Sequence, residues 1–99
     1  MAVKSGKNLA GLKRDLKKFL GTVYGAGTRV YTKKEWKEKG EQYGVTADLT
    51  LVIEGSPLYN CLNYGEPSWD ASEQLRELAS NNGYYYEQGY AWSVHFYEK

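Results

Sequence analysis

Leu9, Leu12, Leu16, Phe19, Leu20 and Val23 recur at three- and four-residue spacing, which marks one apolar face of an α-helix. Lys13, Arg14, Lys17 and Lys18 fall on the other side. Asn8 is placed to cap the start, and Gly25-Ala26-Gly27 to end it. A second stripe of Ala71, Leu75, Leu78 and Ala79 predicts another helix, with Ser68 or Asp70 as its cap. Asp70 and Glu73 have the spacing of a capping box, and Asn81-Asn82-Gly83 is a strong stop. Between the two, Thr32 and Glu35 repeat the capping-box spacing. A short helix from Lys33 to about Lys39 is expected there, with Trp36 as its apolar anchor.

The remaining segments read as strands and turns. Thr28–Tyr31 is short and β-branched. Ala47–Glu54 carries Leu49, Leu51 and Ile53 alternating with Thr50 and Val52, so both faces of this strand are expected to be covered. Gly55-Ser56-Pro57 is a turn. Leu58–Tyr64 fits either a strand or a helical turn. The helical turn is favoured because Ser56-Pro57 is a good helix start and Leu58, Cys61 and Leu62 share a helical face. Gly65-Glu66-Pro67 is a loop. At the end of the chain, Trp92, Val94 and Phe96 alternate with Ser93, His95 and Tyr97, and the first set is expected to face the core. Gln88-Gly89 is either a hairpin turn between Tyr84–Glu87 and Tyr90–Tyr97 or a glycine bulge within one bent strand.

These elements predict an α+β fold: a small antiparallel sheet with two main helices, and a short third, packed mainly on one face. Ninety-nine residues make a single domain, 1–99, with no linker long enough to divide it. Residues 1–7 are polar and expected to fray.

Composition adds two features. The first is an aromatic surplus, ten tyrosines and three tryptophans. Tyr43, Tyr59, Tyr64, Tyr84, Tyr85, Tyr86 and Tyr90 cannot all be buried in so small a core, and several are expected at the surface. The second is charge asymmetry hidden by a net charge of +1. Residues 1–39 carry eleven Lys and Arg against Asp15, Glu35 and Glu38, a balance of +8. Residues 40–99 carry Arg76 and Lys99 against nine Asp and Glu, a balance of −7. The fold must either neutralise the two halves against each other or present two faces of opposite sign.

Little in the chain speaks for catalysis. One cysteine, Cys61, and one histidine, His95, are too few for a structural zinc site. A Cys61–His95 nucleophilic pair lacks a glycine-rich oxyanion loop. The plainer expectation is a buried apolar cysteine and a histidine on the outer face of a strand. The glycines at 21, 25 and 27 lack the Lys-Ser/Thr that follows a phosphate loop. No carboxylate-rich calcium loop is present. No cofactor, metal or catalytic residue is expected. The single cysteine and the polar N-terminus, without an apolar stretch or cleavage pattern, point to a reducing, cytoplasmic location and no membrane partner.

Two surfaces remain as candidates for binding. An acidic and aromatic one comprises Glu66, Asp70, Glu73 and Glu77 with Tyr64 and Tyr85. It would present hot-spot side chains and negative charge to a partner protein. A basic one comprises Lys13, Arg14, Lys17 and Lys18, supplemented by Arg29, Lys33, Lys34 and Lys37. It would neutralise phosphates, with Tyr31 or Trp36 to stack on a base. An ordinary solvated helix face accounts for the same lysines. A tyrosine-rich edge strand at the C-terminus could also pair with a second copy.

The runs VYTKKEWKEKGEQYG, ADLTLVIEGSPLYNCLNYG and GYYYEQGYAWSVHFYEK, between Val30 and Tyr97, resemble small proteins carried by bacteriophages and other mobile elements. Many of these, anti-CRISPR proteins among them, inhibit host defence by stoichiometric binding. The resemblance implies a non-enzymatic, phage-type inhibitor that binds a host protein or nucleoprotein complex in the host cytoplasm. A nucleic-acid-binding protein using the basic first helix is the alternative.

Overall fold

The computed structural model describes residues 8–41, 44–65 and 70–99. Expectations for residues 1–7, Tyr43, Glu66, Pro67 and Ser68 lie outside the described residues. Helix α1, Leu9–Leu20, is capped by Asn8, whose side chain accepts from Gly11 N. It ends three residues earlier than the apolar spacing predicts, and Val23–Gly25 instead forms a 3₁₀ turn. Strand β1 spans Arg29–Thr32 and leads directly into α2, Lys33–Glu38. The predicted capping box is formed: Thr32 Oγ1 accepts from Glu35 N, and the Glu35 carboxylate accepts from Thr32 N.

Strand β2, Leu49–Val52, is shorter than predicted at both ends and buried at every position. The Leu58–Tyr64 segment is helical, as favoured. Helix α3 spans Pro57–Tyr64, with Ser56 as N-cap and proline in its first turn. The Ser56 hydroxyl also donates to Tyr24 O and accepts from Thr28 Oγ1, so one side chain fastens the α3 start to the segment before β1. Helix α4, Asp70–Asn81, begins at Asp70. Strands β3, Tyr84–Gln88, and β4, Ser93–Glu98, form a hairpin whose connection runs through 89–92. Gln88 pairs with Val94 and Tyr97 with Tyr85, and Tyr90 lies outside β4. The turn is closed by Tyr90 N donating to Ser93 Oγ and Ser93 N donating to Tyr90 O.

The strands form one antiparallel sheet in the order β1-β2-β4-β3. Residues opposite one another in this register share a face. Leu49, Leu51, Val94, Phe96 and Tyr86 line the first face. Against it pack Leu12, Leu16 and Phe19 of α1, Leu58, Cys61 and Leu62 of α3, and Ala71, Leu75 and Ala79 of α4. Three of the four helices therefore cover one face, in accord with the two-layer architecture predicted for an α+β chain.

Helix α2 is the exception, and it explains why β2 and β4 are buried on both sides. Tyr31, Thr50, His95 and Glu87 align across the second face. Trp36, 1% exposed, packs on this face between β1 and β4, its ring 5.6 Å from that of His95 and 5.7 Å from that of Tyr31, while Glu87 at the far edge stays exposed. Two expectations are corrected here. His95 is on the predicted face but is fully buried, because α2 closes over it. Trp92 does not join Val94 and Phe96 in the core. It precedes β4, stacks on Tyr90 at 4.7 Å and meets Trp36 at 6.4 Å on the second face.

Candidate partner-binding surfaces

Strands β1 and β3 are the two edges of the sheet, and the charge asymmetry of the sequence is distributed between them. On α1, Leu12, Leu16 and Phe19 point inward. A rotation of about 100° per residue then sends Lys13 and Lys17 to one flank, Asp15 and Lys18 to the other, and Arg14 outward. Lys13 and Lys17 line a groove between α1 and β1 with Leu16, Leu20, Val30 and Leu49. Lys33, Lys34 and Lys37 of α2, just beyond the end of β1, surround a hollow with Val45 and Thr46.

At the opposite edge, Glu73 and Glu77 of α4 line a hollow of about 490 Å³ with Tyr84 and Tyr85 of β3. Arg76, Ser80 and Lys99 complete its wall, and the Lys99 ammonium donates to Ser80 Oγ. Tyr85 borders this hollow, is 42% exposed and stacks on Tyr97 of the second face at 5.6 Å. Tyr84 is fully buried instead. Its hydroxyl donates to Asp48 Oδ2 at 2.7 Å, and burial, then the Asp48 carboxylate, push its pKa up.

The structure thus brings Glu73, Glu77 and Tyr85 together around one hollow. Tyr64, 65% exposed, ends α3 and tilts against Tyr59. Asp70 opens α4, one turn before Glu73, and Glu66 lies outside the described residues. Of the other tyrosines, Tyr59 and Tyr86 are half-buried against the main core, and Tyr90 stacks on Trp92.

The basic set is divided. Lys18 shares a third hollow with Asp15 and Glu77 between α1 and α4, where opposite charges approach each other. Arg14 Nε pairs with Asp15 Oδ1 at 3.2 Å, an exposed contact of little energetic weight. The Asp15 carboxyl is held below the usual carboxylate range, first by the Asn82 amide and then by Arg14. The aromatic partners expected for a nucleic acid are engaged within the fold. Trp36 is buried, and Tyr31 lies between Trp36 and the Lys39 ammonium, 5.1 Å above its ring. What sequence reasoning missed is the apolar groove beside Lys13 and Lys17. Its one legible sign was Val30, an apolar residue in a short strand with no partner yet assigned.

Cys61 and His95 lie on opposite faces of the sheet, Cys61 in the core beneath the helices and His95 under Trp36. They do not form a pair. Among the described residues, no three His, Cys, Asp or Glu side chains gather as a metal set, and no helix is long and apolar enough to cross a membrane. Set against known proteins, the chain matches no family model, no curated protein and no solved structure.

Proposed function

We propose that the chain is a non-enzymatic binding protein that meets a basic protein or nucleoprotein surface through its α4/β3 edge. The observation that carries this reading is the convergence of Glu73, Glu77 and Tyr85 on one hollow. Glu73 and Glu77, set beside Arg76 and Lys99 in the same wall, offer directional ion pairs to a partner's cations, and exposed Tyr85 offers an anchor. The resemblance of Val30–Tyr97 to small phage-borne proteins adds the class, a stoichiometric inhibitor of a host complex acting in the host cytoplasm.

Affinity capture from a host lysate, with and without nuclease, tests this with three proteins: the native chain, Glu73→Lys with Glu77→Lys, and Tyr85→Ala. Truncation of an interface anchor costs about 2 kcal/mol, or roughly thirty-fold in affinity. Both variants are expected to lose capture while melting like the native chain. Undiminished capture by both discards this surface.

A second reading, nucleic-acid binding, is favoured by the convergence of Lys33, Lys34 and Lys37 around a hollow of about 490 Å³. It is the weaker of the two because Trp36 is unavailable for stacking. Anisotropy titrations at low and high salt decide it. Binding must weaken with salt and with Lys34→Glu, as phosphate contacts require.

A further inference from the structure

The β1 edge carries features that the α4/β3 reading does not use. Among the described residues β1 pairs on one side only, with β2. Alternate residues of such an edge direct N–H and C=O groups away from the sheet; the Thr32 N–H is taken by the Glu35 carboxylate, which leaves Val30 as the outward residue of β1. Val30, at its centre, is 44% exposed. It is continuous with a groove of about 450 Å³ whose apolar floor is Leu16, Leu20, Val30 and Leu49. Lys13 and Lys17, both exposed, line the same groove. Arg29 stands at the start of β1 on the second face, and Lys33 and Lys34 follow its end.

We propose that this edge is a docking site for an acidic peptide segment that adds to the sheet as a further strand, with alternating apolar and carboxylate side chains. Main-chain bonds to Val30 anchor the pairing, as in other cases of strand addition. Side chains of an added strand alternate between faces. The apolar set enters the groove over Leu16, Leu20 and Val30. The carboxylates meet Arg29 on the second face, while Lys13 and Lys17, exposed beside the groove, attract the acidic segment at longer range.

Charge selects this occupant over the others. A symmetric dimer through β1 would bring the same lysines face to face. A nucleic acid would satisfy the lysines but would set phosphates against Leu16, Leu20 and Val30, and it has no strand to offer the edge. An acidic, apolar-alternating peptide matches the cations, the apolar floor and the outward main chain of Val30 together.

The test is fluorescence anisotropy of the full chain with a short labelled peptide of alternating Glu and Val. Saturable binding is expected, weakening with added salt. Lys13→Glu with Lys17→Glu is expected to weaken it about ten-fold, two nearby attractive charges being replaced by repulsive ones. Val30→Asp is expected to do the same by charging the groove. The same peptide N-methylated throughout is expected not to bind the native chain, a result independent of how any variant folds. The proposal is overturned if the Glu–Val peptide does not bind, or if a Lys–Val or N-methylated peptide binds as tightly. Unchanged binding by both variants, or tighter binding of an oligothymidylate at the same groove, also overturns it. So does self-association that Val30→Asp abolishes and the Glu–Val peptide does not compete.

Discussion

Thr50 Oγ1 lies 3.0 Å from His95 Nδ1, with neither side chain open to solvent. The other ring nitrogen, Nε2, is 2.9 Å from Ser93 Oγ. A neutral imidazole donates through one nitrogen and accepts at the other, and two rotatable hydroxyls serve either tautomer. Gly44 passes so close that a Cβ there would strike Nδ1, and its φ of +76° already favours glycine. The histidine is therefore enclosed by α2 above, strand neighbours beside it and backbone at the ring edge.

Burial pushes the His95 pKa below that of a free histidine. The unfolded chain therefore binds the proton more readily than the folded one. By linkage, stability from this group is fully present above the unfolded value of about 6.5. It is lost as pH falls through the lower folded value. Urea midpoints measured on both sides of about pH 6.5 are expected to drop on the acid side. In His95→Gln the drop over this window is expected to flatten. A slope unchanged by that substitution assigns the proton uptake to another group.

Tyr84→Phe removes the hydroxyl that donates to Asp48 Oδ2. Hydrogen bonds to a charged group are worth about 1.5–3 kcal/mol, and Asp48 keeps further interactions in the fold. The expected loss is therefore near the lower end, about 1.5 kcal/mol by denaturant titration. In the native chain, Tyr84 is also expected to resist ionisation in an alkaline absorbance titration until the fold is lost, because burial and the Asp48 carboxylate raise its pKa.

The elements with local causes could be read from the chain. Asn8, Thr32 and Ser56 cap helices through their own side chains, within three residues of the groups they satisfy. The alternation in β4 likewise gave Val94 and Phe96 to the core. What the chain did not disclose depends on contacts distant in sequence. His95 is buried because α2 returns across β2 and β4, and a period of two separates the faces of a strand without saying which are covered. Trp92 obeys the same alternation on paper but sits in the turn, so its side follows Tyr90 and Trp36. The hollow at Glu73, Glu77 and Tyr85 needed the α4–β3 packing, and the groove at Lys13 and Lys17 needed β1 at the sheet edge. The residue types were legible in both cases and their neighbours were not.

Gly11 of α1 packs tightly against Asn82, the residue after α4. A Cβ there would run into Asn82 Oδ1 and the Asn8 side chain. Asn82 is committed at this point: its side-chain amide donates to Asp15 Oδ2 and Leu78 O, and its main-chain carbonyl accepts from Asn8 N. Gly11→Ala gains about 0.5–1 kcal/mol in helix preference. Overpacking costs about 1–3 kcal/mol, so the steric term prevails. Net destabilisation of about 1 kcal/mol is expected, read as a lower melting temperature. An unchanged or raised melting temperature shows that Asn82 can move aside at no cost.

Trp36 is the side chain on which the second layer depends. Helix α2 has six residues, too few to persist without tertiary contacts. Trp36 ties it to Tyr31, Trp92 and His95. Trp36→Ala is expected to cost about 3–5 kcal/mol, a large share of the 5–15 kcal/mol that holds a typical domain together. The more informative consequence concerns His95. Removing the indole admits water to the second face, so the imidazole pKa should rise toward its ordinary value. The acid-side loss of stability near pH 6.5 should then shrink in Trp36→Ala, as in His95→Gln. Urea midpoints at two pH values measure both effects. A full-sized loss together with an unchanged pH slope would mean that Trp36 anchors α2 without shielding the histidine.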